Sequence, residues 1–155
     1  MKKYLALFVV LISLSSCLKE PDYIESDPAK QAAIDDSLIK AYIIKNNIPA
    51  VKDSSQLYYQ IINPGTGETP TLSSSVAVNY TGTLLNGSQF DKNANVSFPL
   101  GNVIRGWQIG IPLIKPGGKI LLFIPSALGY GMNSPAASIP SNSVLVFEVE
   151  LLGVK

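Results

Sequence analysis

SVAVNYTGTL, from Ser75 to Leu84, alternates apolar and polar residues with a period of two. Val76, Val78, Tyr80 and Leu84 fall on one side, and Ala77, Asn79, Thr81 and Thr83 on the other. Successive side chains of a strand point to opposite faces, so this pattern predicts a half-buried strand with one polar face. Asn86-Gly87 follows, a dipeptide suited to a tight hairpin turn. Gln89-Phe90-Asp91 begins the return strand.

Upstream, Leu57 to Ile62 (LYYQII) reads as a strand closed by the turn signal Pro64-Gly65. Downstream, Asn102 to Gly110 reads as a short helix with Val103 and Trp107 on one face. Pro116-Gly117-Gly118 is a turn. Lys119 to Ile124 (KILLFI) is apolar on both faces, as a central strand is. Leu128 to Asn142 is a long loop rich in Gly, Pro and Ser, and loops of that length usually carry function. Val144 to Leu152 closes the set, with Leu145, Phe147, Val149 and Leu151 on one face and Glu148 and Glu150 on the other. Most strands adjoin others through turns, and one short helix interrupts them. The predicted class is therefore α+β, a curled antiparallel β-sheet wrapped over a short α-helix, with an N-terminal helical extension.

That extension begins at Asp27-Pro28, a good helix start with Asp27 as N-cap and Pro28 in the first turn. Ile34, Leu38 and Tyr42 recur at four-residue spacing, flanked by Ile39 and Ile43. They predict an amphipathic helix of about four to five turns that ends near Asn46-Asn47, its apolar stripe packing on the main domain or, as the lesser alternative, serving as a pairing surface. Before it, Lys2 and Lys3 precede an apolar run from Tyr4 to Leu14. The run has signal-peptide length and is too short to span a bilayer. Leu14-Ser15-Ser16-Cys17 resembles the bacterial lipobox, and Cys17 is the one cysteine of the 155 residues. The expected organisation is a lipoprotein signal peptide at 1–16, a tether at 17–27, a helix and linker at 28–55 and a single domain at 56–155. Cys17 is the expected site of lipidation. The chain would then sit on the bacterial outer membrane, facing the periplasm or the cell surface.

Composition excludes several functions. The chain has 12 basic and 11 acidic side chains, and two of the basic ones are Lys2 and Lys3. The mature protein would be nearly neutral, and nothing suggests a nucleic-acid partner, which would need a basic face. There is no histidine, which removes Ser-His-Asp and Cys-His catalysis and the usual histidine metal sites. No metal and no cofactor is expected.

The specific signal is a series of eight motifs in order: Val78-Asn79-Tyr80-Thr81-Gly82, Gly87-Ser88-Gln89-Phe90-Asp91, Phe98-Pro99-Leu100-Gly101, Val103-Ile104-Arg105-Gly106-Trp107, Pro116-Gly117-Gly118, Gly129-Tyr130-Gly131, Ile139-Pro140 and Leu145 to Leu152 (LVFEVELL). The series resembles the FKBP-type peptidyl-prolyl cis/trans isomerases, from about Leu57 to the C-terminus. The resemblance implies a pocket between sheet, short helix and long loop. Trp107 would be its floor, and Tyr80, Phe90 and Phe147 its walls, with Val103, Ile104 and Ile139. The Ile104 backbone N–H and the Tyr130 hydroxyl would hold carbonyls of the bound peptide, and Asp91 would stand at the rim. Arg105 reads as a solvated charge.

The implied activity is isomerisation of X-Pro bonds in exported polypeptides, with macrolides of the rapamycin and tacrolimus type as possible inhibitors. A binding module or chaperone that grips proline segments without turnover is the alternative. The chain departs from many members between Asp91 and Phe98. Lys92 to Ser97 reads as a shortened loop with no arginine to pair with Asp91, for which Lys92 would be a weak substitute. A wider pocket and a less constrained aspartate are expected there. Ser138 also stands where a larger apolar residue is common.

Overall fold

The computed structural model describes residues 27–155. The expected signal peptide, Cys17 and the tether up to residue 26 lie outside the described residues. No helix among the described residues is long and apolar enough to cross a membrane.

Helix α1 spans Pro28–Lys45, and β1 is Val51–Lys52. The hairpin strands are β3, Ser75–Leu84, and β4, Gln89–Pro99; β2 covers Tyr58–Asn63, β5 Lys119–Ile124 and β6 Leu145–Val154. The short helix α2 is Arg105–Gly110. The six strands form one antiparallel sheet in the order β1-β2-β5-β6-β3-β4. This is the α+β architecture that the alternating patterns predict.

The inner face of the sheet carries Val76, Val78 and Tyr80 of β3, Ile120, Leu122 and Ile124 of β5, and Leu145, Phe147, Val149 and Leu151 of β6. Helix α2 closes over this face. It lies so near β5 that a Cβ on Gly106 would meet Ile124 at 2.5 Å. A side chain there would lift Trp107 off the core. The helix is shorter than its sequence pattern suggests. Leu100–Asn102 forms a separate 3-10 turn, Val103 and Ile104 are extended, and α2 begins at Arg105. Gln108 braces this entry by donating from Nε2 to the carbonyls of Gly101 (3.0 Å) and Val103 (2.9 Å).

The outer face is covered at one end by α1. Asp27 caps the helix, its carboxylate accepting from the Ala29 N–H at 2.9 Å. Ile39 packs with Tyr58, Phe123, Val144 and Val146 in a second core, and Tyr42 meets Phe123 at 5.8 Å between ring centroids. The apolar character of KILLFI on both sides is thereby explained, because Phe123 lies beneath α1.

The predicted stripe of α1 is partly overturned. Ile34 and Leu38 are exposed, and the inward line runs through the buried Asp35 and Ile39 and the half-buried Tyr42 and Ile43. The helix is turned because Asp35, an acidic residue, is drawn inward by hydrogen bonds from Ser126. Its neighbour Asp36 accepts from Lys52 and Tyr58, each at 2.6 Å, and pairs with Lys40 at 2.7 Å. Those donors, Lys40 first, hold its carboxyl well below the usual range.

The second correction concerns Lys92 to Ser97. These residues are not a loop but the body of β4, paired along β3. Two irregularities punctuate the ladder. Gly82 faces Asp91 while Thr83 faces Gln89, leaving Phe90 as an extra residue. Tyr80 faces Asn93 while Val78 faces Val96, leaving Ala94 and Asn95 opposite Asn79. Asn95 has φ +51°, and its N–H donates to Asn79 Oδ1 at 2.8 Å. Such bulges shift the parity of a strand. Here they bring Asp91, Asn93, Val96 and Phe98 to the inner face of one continuous strand.

Candidate active site

The inner face opens beside α2 into a cleft of about 300 Å³ lined by Tyr80, Asp91, Phe98, Asn102, Val103, Ile104, Trp107, Tyr130 and Phe147. That size is at the lower end of small-ligand pockets, ~300–1,000 Å³. Trp107 is 4% exposed, yet it contributes to the lining. It forms the floor, and three rings stand edge-on around it: Tyr80 at 5.1 Å and 84°, Phe147 at 5.3 Å and 85°, and Phe98 at 6.0 Å and 81°. Edge-to-face contacts bring the positive edge of one ring to the negative face of another, so each ring fixes its neighbours. The indole Nε1–H is buried with no acceptor among the described residues.

Seven of the nine pocket residues named from the sequence line the cleft together: Tyr80, Asp91, Val103, Ile104, Trp107, Tyr130 and Phe147. The other two lie behind it. Phe90 packs edge-on against Phe147 at 5.4 Å, a ring that supports a wall. A Cβ on Gly82 would strike both of these rings at 2.8 Å, so glycine gives them their room. Ile139 belongs to the buried core. Phe98 and Asn102 complete the lining and were not assigned a site role from the sequence. Phe98 stood within a quoted motif, but only the β4 bulge shows that its ring turns inward.

At the rim, the Tyr80 hydroxyl donates to Asp91 Oδ2 at 2.6 Å. Asn93 Nδ2 donates to the Tyr80 oxygen at 2.9 Å and reaches Asp91 Oδ1 at 3.3 Å. Asn93, not Lys92, therefore restrains the aspartate. Lys92 faces Thr81 across the ladder and, by strand alternation, lies on the opposite side from Asp91. It lines an outer hollow with Lys119, Glu148 and Glu150.

Burial, and then the bond to Asp91, push the Tyr80 phenol up to about 12, while the bond from Asn93 works the other way. Burial and the nearby Asp91 also raise the Tyr130 phenol. Both phenols keep their protons at neutral pH. Tyr80 uses its proton on Asp91. None of the described residues accepts a hydrogen bond from Tyr130, which leaves that hydroxyl able to donate into the cleft.

A protein-family model described as FKBP-type peptidyl-prolyl cis-trans isomerase matches residues 66–152, more than half of the chain. The FkpA isomerase of Escherichia coli is 50% identical over 110 residues, covering 68% of this chain and 40% of its own. The peptidyl-prolyl cis-trans isomerase Mip of Coxiella burnetii is 38% identical over 122 residues, covering 75% and 53%. Among solved structures, the crystal structure of Escherichia coli FkpA superposes with a TM-score of 0.71 at 44% identity, covering 82% of this chain and 62% of that one. A peptidyl-prolyl cis-trans isomerase from Pseudomonas syringae gives 0.72 at 28% identity, covering 82% and 95%. The chain thus spans about half the length, or less, of these two curated relatives.

Proposed function

The chain belongs to the family of FKBP-type peptidyl-prolyl cis-trans isomerases, and on that premise we propose that it catalyses cis/trans isomerisation of X-Pro bonds in polypeptides held in the aromatic cleft. The observation that carries this reading is the Trp107 floor, ringed by Tyr80, Phe98 and Phe147 and open to a cleft beside the Tyr130 hydroxyl.

The chemistry requires no nucleophile. Rotation about an X-Pro amide crosses a barrier of about 18–20 kcal/mol. In the planar amide, resonance places negative charge on the carbonyl oxygen, and water stabilises that charge. At the twisted transition state resonance is broken and the charge falls. A water-poor aromatic cleft therefore destabilises the planar amide more than the twisted one, which is differential binding of the transition state. The proline ring has no polar group and seats on the indole. The Tyr130 hydroxyl and the Ile104 N–H are the donors assigned to flanking peptide carbonyls, and Asp91, held by Tyr80 and Asn93, shapes the rim. A thousandfold acceleration needs only about 4 kcal/mol, within reach of desolvation and a few oriented bonds.

The test is a protease-coupled assay on an Ala-Leu-Pro-Phe type peptide with wild type and Tyr130→Phe. Acceleration by wild type, reduced about 3- to 10-fold by loss of one hydroxyl bond, is expected. No acceleration by folded wild type would leave a proline-binding module without turnover. Macrolides of the rapamycin and tacrolimus type should compete for the cleft and alter Trp107 fluorescence.

The signal-like run from Tyr4 to Leu14 and the lone Cys17 after Ser15-Ser16 support a further reading. The protein is a lipoprotein anchored through Cys17 to the bacterial outer membrane, where its substrates are exported polypeptides. Replacing Cys17 by alanine should release it from membranes. Continued membrane association would refute the anchor.

A further inference from the structure

Helix α1 lies outside residues 66–152 matched by the family model, yet it reaches the segment that carries Tyr130. Asp35 is only 1% exposed. One carboxyl oxygen accepts from the Ser126 N–H at 2.8 Å and from its hydroxyl at 2.7 Å; the other accepts from Gln31 Nε2 at 2.7 Å. Ser126 is itself buried and opens the 3-10 turn Ser126–Leu128. Its carbonyl oxygen accepts from the N–H of Gly129 at 3.0 Å and of Gly131 at 2.9 Å, the residues on either side of Tyr130. The contacts therefore run from the helix to the backbone on either side of Tyr130: carboxyl, serine amide and hydroxyl, serine carbonyl, two glycine amides.

Attachment of α1 alone does not account for Asp35. The helix is already held by Ile39, by Tyr42 against Phe123 and by the three donors on Asp36. A buried carboxyl costs more to desolvate than an apolar side chain in the same place. What it adds is direction, because a buried pair of donors aimed at one oxygen admits one arrangement of the Ser126 turn.

We propose that Asp35 is a positioning residue that, acting through Ser126, fixes where the Tyr130 hydroxyl stands. Its consequence for turnover rests on the isomerase reading above. The N-terminal helix is then part of the catalytic apparatus rather than an appendage to it.

The test uses the full-length chain. Asp35→Ala removes the acceptor and leaves two buried donors of Ser126 unpaired. It should lower kcat/KM by no more than Tyr130→Phe does, about 3- to 10-fold. Asp35→Asn keeps an oxygen towards Ser126 while Gln31 turns its amide, and it should restore the wild-type value. In the Tyr130→Phe background Asp35→Ala should have little further effect, because both changes remove the same hydroxyl from its place. Losses that multiply would mark independent roles.

A readout free of activity accompanies the cycle. With tyrosine labelled at the ring carbon bearing oxygen, the Tyr130 NMR resonance, assigned by its absence in Tyr130→Phe, should move in Asp35→Ala and return in Asp35→Asn. Should Asp35→Ala not fold, Ser126→Ala serves in its place, since it deletes one of the two donors. An unmoved Tyr130 resonance together with multiplying losses overturns the proposal. A resonance that follows Asp35 in a wild-type protein without isomerase activity supports the positioning role and defeats the isomerase reading.

Discussion

At the scale of single residues, Trp107 and Tyr80 separate what holds the site from what it does. Truncating a buried indole to alanine costs about 3–5 kcal/mol, which would confuse folding with binding. Trp107→Phe is the better probe, because it also removes a buried N–H that has no acceptor among the described residues. We expect it to shift the urea midpoint only slightly while weakening proline-peptide affinity several-fold, as read by titration calorimetry. Tyr80 makes a prediction in pH. Its phenol titrates near 12 in the folded protein against an ordinary value of 10.0. Between those values the unfolded chain has lost a proton that the folded one keeps, so unfolding is favoured as pH rises. The Tyr80 contribution to stability is therefore undiminished below about pH 10 and declines towards pH 12. Tyr80→Phe should flatten part of that alkaline limb in thermal melts. The raised phenols of Tyr58 and Tyr130 retain the rest. Tyr80, Trp107, Tyr130 and Phe147 were readable as pocket residues because their motifs resemble one family's. Taken singly, each aromatic would pass for core. Asn93 carried no such signal, since its role exists only through its pairing with Tyr80.

At the scale of elements, the regular parts of the fold were written in the sequence and the irregular parts were not. Strand β3 keeps strict alternation, and Asn86-Gly87 announces its turn, so the first hairpin is local information. Strand β4 breaks alternation twice, and a bulge is a property of two strands in register rather than of one. Lys92 to Ser97 therefore looked like a short loop. The bulge at Asn95 is testable, because a side chain at φ +51° suits asparagine or glycine and strains a β-branched residue. Asn95→Val should cost about 1–2 kcal/mol in chemical denaturation, and Asn95→Gly much less. Equal effects from the two would show that the left-handed geometry is not what Asn95 supplies. Helix α1 was legible in its limits, from the Asp27 cap to the Asn46 end, but not in its rotation. An apolar stripe can be counted along the sequence, whereas the partner that draws Asp35 inward lies 91 residues away.

At the scale of the whole molecule, the two faces of the sheet serve two purposes. The inner face builds the cleft against α2, and the outer face seats α1, whose Asp35 reaches the Tyr130 segment. The overall class was legible because strands joined by turns with one short helix leave few architectures. The second core was not, because Phe123 and Val146 on the outer face gain meaning only once α1 lies over them. The proposed activity requires that the ring-lined cleft lower the barrier to X-Pro rotation by favouring the twisted amide. Two-dimensional exchange NMR on a proline tetrapeptide with a catalytic amount of the protein measures that rotation without a coupled protease. We predict cis–trans exchange cross-peaks within a mixing time of about one second, where the free peptide, exchanging over tens to hundreds of seconds, shows none. A well-folded wild-type protein that leaves the exchange rate at its solution value would contradict the account.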